Sequence, residues 1–151
     1  MPASSRLVLA THVLAALALA RGVPVNSVAL ARSVNTNPAF VRRLLGALAK
    51  AGLAESQMGQ GGGALLSRPA EKITLLDVYR AVDDQNLFAL HHRGPNPMCP
   101  IGRNITPILE AEIAEAANAL ERSLAATTIA DIAGRIEARA GRATLERLLD
   151  S

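Results

Sequence analysis

The chain has 151 residues, half of them apolar, a formal charge of +3 and one cysteine, Cys99. That length suits one domain, or one domain with a helical appendage, and a lone cysteine excludes an intrachain disulfide framework and favours a reducing, cytoplasmic setting. Phe40, Phe88 and Tyr79 are its only aromatic residues, so the core must be aliphatic, and an Ala- and Leu-rich chain of this kind leans helical.

Charge is divided along the chain. Residues 1–70 carry seven Lys and Arg against Glu55 alone, whereas residues 71–151 carry nine against twelve acidic groups. A basic first half suits a polyanion-binding module joined to something else.

Leu7 to Ala20 is an apolar run behind Arg6, and Ala18-Leu19-Ala20 imitates a signal-cleavage site. The run is short for a membrane span, Thr11 and His12 interrupt it, and Arg21 follows it. It reads as a first core helix, about Ser5–Arg21, capped by Ser4 or Ser5 and ended by Gly22. A second helix starts at Asn26 or Ser27, both capping types, and ends near Ser33, with Val34 packed beneath the turn. Asn37 caps the third, and Pro38 takes the first helical position, where a missing N–H costs nothing. Val41, Leu44, Leu45 and Leu48 form its buried stripe, and Gly52 ends it in a left-handed cap.

Two short strands follow, about Leu53–Ser56 and Ala64–Ser67. Gly59, Gly61, Gly62 and Gly63 between them permit a sharp hairpin. Thr74 caps a helix over Leu75–Asp83. Residues 84–103, with Gly94, Pro95, Pro97, Pro100 and Gly102, read as a loop. A long helix then runs from Asn104 or Thr106 to about Ala126. Leu109, Ile113, Ala116, Leu120 and Leu124 stripe it, and a stripe outside the compact module needs a partner, most simply a second copy of the chain. A last helix, Thr128–Ala140, and a polar tail complete the sequence.

The fold class is therefore mainly α: a winged helix-turn-helix with a two-stranded wing, plus a long C-terminal dimerisation helix. Residues 1–84 form the DNA-binding domain, 85–103 a loop carrying Cys99, and 104–151 the dimerisation helix and the C-terminal helix.

The turn and the third helix offer Asn35, Thr36, Asn37, Arg42 and Arg43 away from the apolar stripe, and Ser27 starts the second helix. These types suit a DNA groove: Arg pairs with guanine edges or phosphate, Asn with adenine, Thr with either. In the hairpin, Gln60 and Gly61 at the tip and Arg68 at the base are candidate contacts. The glycine run is no phosphate loop, because no Gly-Lys-Ser/Thr follows it and no helix succeeds it. Adjacent His91 and His92 are poor joint ligands. No nucleophile–base arrangement, paired-carboxylate cleft or metal-ligand spacing supports an enzyme or a bound metal.

The segment Ser56-Gln57-Met58-Gly59-Gln60-Gly61-Gly62-Gly63-Ala64-Leu65-Leu66-Ser67-Arg68-Pro69, followed by Ile73-Thr74-Leu75-Leu76-Asp77-Val78-Tyr79-Arg80-Ala81-Val82, resembles the signature of the Rrf2 family of winged-helix regulators. Ser33-Val34-Asn35-Thr36-Asn37-Pro38 with Val41-Arg42-Arg43-Leu44-Leu45 is similar to its YwnA-like, single-cysteine branch. The resemblance extends from about Ser5 to the end of the long helix. It implies a homodimeric repressor bound to a double-stranded DNA operator. Two positions depart from the pattern: Met58 stands where many members carry Arg, and Ala64 where they carry Tyr.

Cluster-binding members supply three cysteines before the long helix, where this chain has Cys99 alone. One thiolate falls short of the roughly four ligands of an iron–sulfur cluster, so no cofactor is expected. Cys99 precedes a helix and lies near Arg93, Arg103 and two histidines in sequence, a setting that makes a thiol reactive, and it is the candidate redox sensor. The alternatives are an inert packed cysteine, control by a small ligand held between the winged helix and the long helix, control by an iron–sulfur cluster shared by two chains with His91, His92 or acidic groups beside the two thiolates, and a winged helix that docks an acidic protein instead of DNA.

Overall fold

The computed structural model describes residues 5–83, 88–90 and 92–149. Ser4, His91 and residues 84–87 of the expected loop lie outside them.

The first apolar run is the centre of the core. It forms α1 (Arg6–Leu19), with Ala10, Val13, Leu14 and Leu17 buried. Ser5 occupies the cap position without a side-chain hydrogen bond, and Arg21 and Gly22 both turn left-handed after the helix. Around α1 pack α2 (Ser27–Val34) and α3 (Pro38–Lys50). Asn26 accepts from the Ala29 N–H and Asn37 from the Phe40 N–H, each at 2.8 Å, so each helix starts where a side chain satisfies a free backbone donor. Gly52, at φ +72, lets the Leu53 N–H reach the Leu48 carbonyl at 2.9 Å, closing α3 in a Schellman turn.

The wing consists of β1 (Ala54–Gln57) and β2 (Gly63–Leu66), antiparallel, with Ala54 opposite Leu66 and Gln57 opposite Gly63. Leu53, expected in the first strand, instead plugs the core. Val25 pairs with Ala64 through two backbone hydrogen bonds of 3.0 and 2.8 Å and ties the wing to the start of α2.

A 3-10 turn (Ala70–Lys72) leads into α4 (Leu75–Val82). Thr74 and Asp77 form a capping box, and Thr128 and Asp131 form another at the head of α6 (Ile129–Ala140). The two helix starts are joined: the Leu75 N–H donates to the Thr127 carbonyl at 2.9 Å and the Ile129 N–H to the Ile73 carbonyl at 2.8 Å. Ile129 is fully buried in the same core as Leu14, Leu30 and Leu48. The chain beyond the long helix thus returns to the winged helix and packs on α1.

The long helix, α5 (Pro100–Ala125), begins four residues before Asn104. Pro100 and Gly102 look like loop residues in sequence, but Pro100 sits in the first turn, where proline is tolerated. None of its 26 residues is buried. The expected polar tail is instead α7 (Arg142–Leu149). Arg142 donates to the Leu19 carbonyl at 3.3 Å and pairs with Glu146 at 2.8 Å, holding α7 against the end of α1. A short segment with three charged groups, Arg142, Glu146 and Arg147, reads as tail from composition, and the contacts of Arg142 tie it to the fold.

Candidate nucleic-acid interface

Helix α3 buries Val41, Leu44 and Leu48. At 100° per residue, the opposite face carries Ala39, Gly46 and Lys50, with Arg42 and Arg43 on either side, and all five are exposed. Small residues between two arginines let a helix axis come close to a groove floor while the cations reach its walls. A Cβ added at Gly46 would meet no atom within 4 Å, so that part of the face is open.

The two arginines diverge. Arg42 Nη1 donates to Ser27 Oγ at 3.3 Å, which places its guanidinium beside the N-terminus of α2, where free N–H groups and the helix dipole favour an anion. Arg43 lies over the Phe40 ring, 5.9 Å from its centroid. It forms part of the wall of a cleft of about 470 Å³ between α1, α3 and α4, which Leu44, Val82 and Asp83 also line. This cleft takes no residue from α5, so it differs from the space between winged helix and long helix named above for the alternative of a small ligand.

Asn35, Thr36 and Asn37 are joined in the turn. Asn35 adopts a left-handed conformation (φ 60, ψ 52), and the Thr36 N–H closes on the Ala31 carbonyl at 2.9 Å. Asparagine tolerates that conformation better than most residues, so Asn35 has a backbone reason to be there as well as an exposed side chain. Asn37 is committed to its cap. Gln60 and Gly61 are exposed at the wing tip, whereas Arg68 is half-buried beyond β2.

Sequence reasoning gave Gly63 to the hairpin but missed its close approach to Val25. A Cβ there would stand 2.6 Å from the Val25 carbonyl carbon and oxygen, so only glycine lets the wing seat against α2. It also missed the open Ala39 and Gly46 face, which a helical projection of residues 38–50 would have displayed.

Cys99 is half-buried at the N-cap of α5. Gly102 allows the turn behind it: a Cβ there would fall 2.3 Å from the Asn96 carbonyl oxygen. The backbone N–H groups of Gly102 and then Ile101 hold the thiol below its ordinary pKa. Helix-terminal donors produce the lowering, not Arg93 or Arg103.

Of the expected dimer stripe, Leu109 and Ala116 are exposed, while Ile113, Leu120 and Leu124 are half-covered. Arg80 pairs with Glu121 at 3.1 Å where α5 meets α4. A second apolar face, Ile101, Ile105, Ile108 and Leu109, lies uncovered nearer the start of the helix. Among the described residues no three His, Cys, Asp or Glu side chains converge as metal ligands, and no helix is long and apolar enough to cross a membrane.

The sequence profile of the Rrf2 family, described as "Iron-dependent Transcriptional regulator", matches residues 3–135. YwnA of Bacillus subtilis, named as a helix-turn-helix-type transcriptional regulator, is 40% identical over 130 residues, spanning 85% of this chain and 95% of YwnA. A crystal structure described as that of a DNA-binding protein shares 34% identity over 85% of this chain and 98% of its own, with a TM-score of 0.66. IscR of T. potens superposes with a TM-score of 0.70 at 21% identity, covering 92% of this chain and 90% of IscR. That likeness establishes the winged-helix fold.

Proposed function

Because the chain belongs to the Rrf2 family of transcriptional regulators, we propose that it is a cytoplasmic, homodimeric repressor that binds a two-fold DNA operator. In each protomer α3 enters a major groove, and the turn Asn35–Asn37 with Arg42 contacts base edges and phosphates. The observation that carries this reading is the open Ala39–Gly46–Lys50 face of α3, flanked by arginines, with Arg42 held to Ser27 at 3.3 Å. The dimer reading rests on Ile101, Ile105, Ile108 and Leu109, an exposed apolar stripe on a helix that buries nothing.

The family description names iron, and the donor set here does not fit an iron–sulfur cluster held within one chain. Cys99 is the one thiol, against about four ligands required. The signal assigned to this chain is oxidation of Cys99, whose lowered pKa leaves more of the reactive thiolate near neutral pH.

Footprinting on the DNA upstream of its own gene, with reduced and oxidised protein, tests both parts. A two-fold protected site is expected, with protection altered by oxidant in the wild type but not in Cys99→Ser. Arg42→Ala should weaken binding by roughly 1–3 kcal/mol if it reads a base, or lower the salt slope by about 1 if it contacts phosphate. Affinity equal to that for random DNA would refute the regulator reading. An oxidant response that survives Cys99→Ser would remove the thiol from the mechanism.

A further inference from the structure

The wing has no cation at its tip. Between Ala54 and Ser67 the only charged residue is Glu55. Met58 is 89% exposed, the most exposed of the large apolar side chains described. It follows β1 directly and stands on a thin loop: Gly59 and Gly61 have φ of +95 and +74, and the Gly62 N–H closes a turn on the Gly59 carbonyl at 3.0 Å. Gly62 itself admits no side chain, since a Cβ there would lie 2.2 Å from the Gln57 carbonyl oxygen. Met58 and Gln60 are therefore the only side chains longer than a hydrogen atom on residues 58–62.

The tip is also linked to the proposed DNA face. Arg42 touches Ser27, the neighbouring Asn26 and Val25 contact Gly63, and Gly63 pairs with Gln57, the residue before Met58. This backbone path joins the wing to the α2 N-terminus at the point where Arg42 is held.

We propose that Met58 is an apolar wedge that enters the minor groove of the bound DNA and partly unstacks a base step. The inference rests on the DNA-binding reading above. Methionine is unbranched and polarisable, which suits an irregular gap between bases, and apolar side chains inserted from the minor groove unstack and kink duplexes. A wing tip without cations gains nothing there from counterion release, the cation of the hairpin being Arg68 at its base. Its contribution comes instead from buried apolar surface and from how readily the DNA deforms, so it selects a flexible TA or CA/TG step beneath the wing. Recognition is thereby divided: α3 and Arg42 supply the charge-dependent contacts, and Met58 supplies a salt-independent preference.

The test uses the full-length protein on its footprinted operator, with fluorophores at both duplex ends reporting bending. Wild type should bend the duplex and lose roughly tenfold in affinity when the wing-proximal flexible step is replaced by a stiff A-tract. Met58→Ala should bind weaker by a similar factor with an unchanged salt slope, leave the duplex straighter and ignore the step. Met58→Leu should keep bending and preference. Because Met58 is exposed, neither substitution disturbs the core. If Met58→Ala bends and discriminates like wild type while Arg42→Ala weakens binding, the wedge is wrong and the regulator reading stands. If wild type shows no preference for the operator over random DNA, both fall.

Discussion

Helices α3 and α5 are both amphipathic in sequence, yet the chain completes only one of them. Of the α3 stripe, Val41, Leu44 and Leu48 are buried and Leu45 is half-buried, with α1, α2, α4 and β1 packed around the helix. Helix α5, twice as long, buries nothing, and Ile101, Ile108 and Leu109 remain 74%, 59% and 45% exposed. The two helices show that periodicity identifies an apolar face but not what covers it. Around α3 the covering elements lie within some forty residues on either side, as expected of one compact unit. On α5 the apolar residues divide between two faces. Ile113, Leu120 and Leu124 are half-covered on this chain, and the Ile101–Leu109 face is left over.

The sharpest test of that contrast is Ile129→Ala. Ile129 follows α5 in sequence but is fully buried in the common core of the winged helix, on the side of α1. Truncation should cost about 2–5 kcal/mol, the range for a large core aliphatic, read from the urea midpoint at constant m-value. A cost under about 1 kcal/mol would mean that residues 128–140 belong with α5 rather than with the winged helix, and the comparison would have to be redrawn.

The elements whose boundaries depend on local chemistry were legible in the sequence. Asn26, Asn37 and Thr74 cap the helices they should, and the glycine run forms the wing. What depends on distant contacts was not. The start of α5 at Pro100 needs the Asn96 turn to fold back over Gly102, and α7 needs Arg142 to find the Leu19 carbonyl. Within the candidate interface the residue types were legible but their directions were not. Arg42 and Arg43 are equivalent as residue types; the helical repeat separates them by 100°, but the contacts with Ser27 and Phe40 that hold each guanidinium could not be read from the sequence.

A smaller effect tests how the C-terminal segment is locked to the winged helix. Thr128→Ala removes one half of a capping box and should cost about 1 kcal/mol. Its partner Asp131 gives a pH signature. The Thr128 backbone N–H and then its hydroxyl lower the Asp131 pKa in the folded state. A depressed carboxylate pKa stabilises the fold above the unfolded value of about 3.9, and that contribution disappears as pH falls through the folded value. Asp131→Asn should therefore flatten the loss of stability as pH falls below the unfolded carboxylate value of about 3.9, measured by chemical unfolding. An unchanged acid limb would show that the box does not hold α6 in solution.

The smallest expected effect within one chain is the most informative about α5. Ile108 is 59% exposed on its own chain, so Ile108→Asp at high dilution should change unfolding stability by no more than about 0.5 kcal/mol, as for a surface site. At working concentration the outcome should differ. Association stabilises whatever it binds by mass action, so the wild-type unfolding midpoint should rise with protein concentration, and the variant should lose that dependence. Sedimentation should show the variant as a monomer where wild type is a dimer. A variant that keeps the wild-type mass would mean that the uncovered face of α5 has some other occupant. A variant that loses stability even at high dilution would mean that the face is packed within the chain, so that α3 and α5 do not differ in the way proposed.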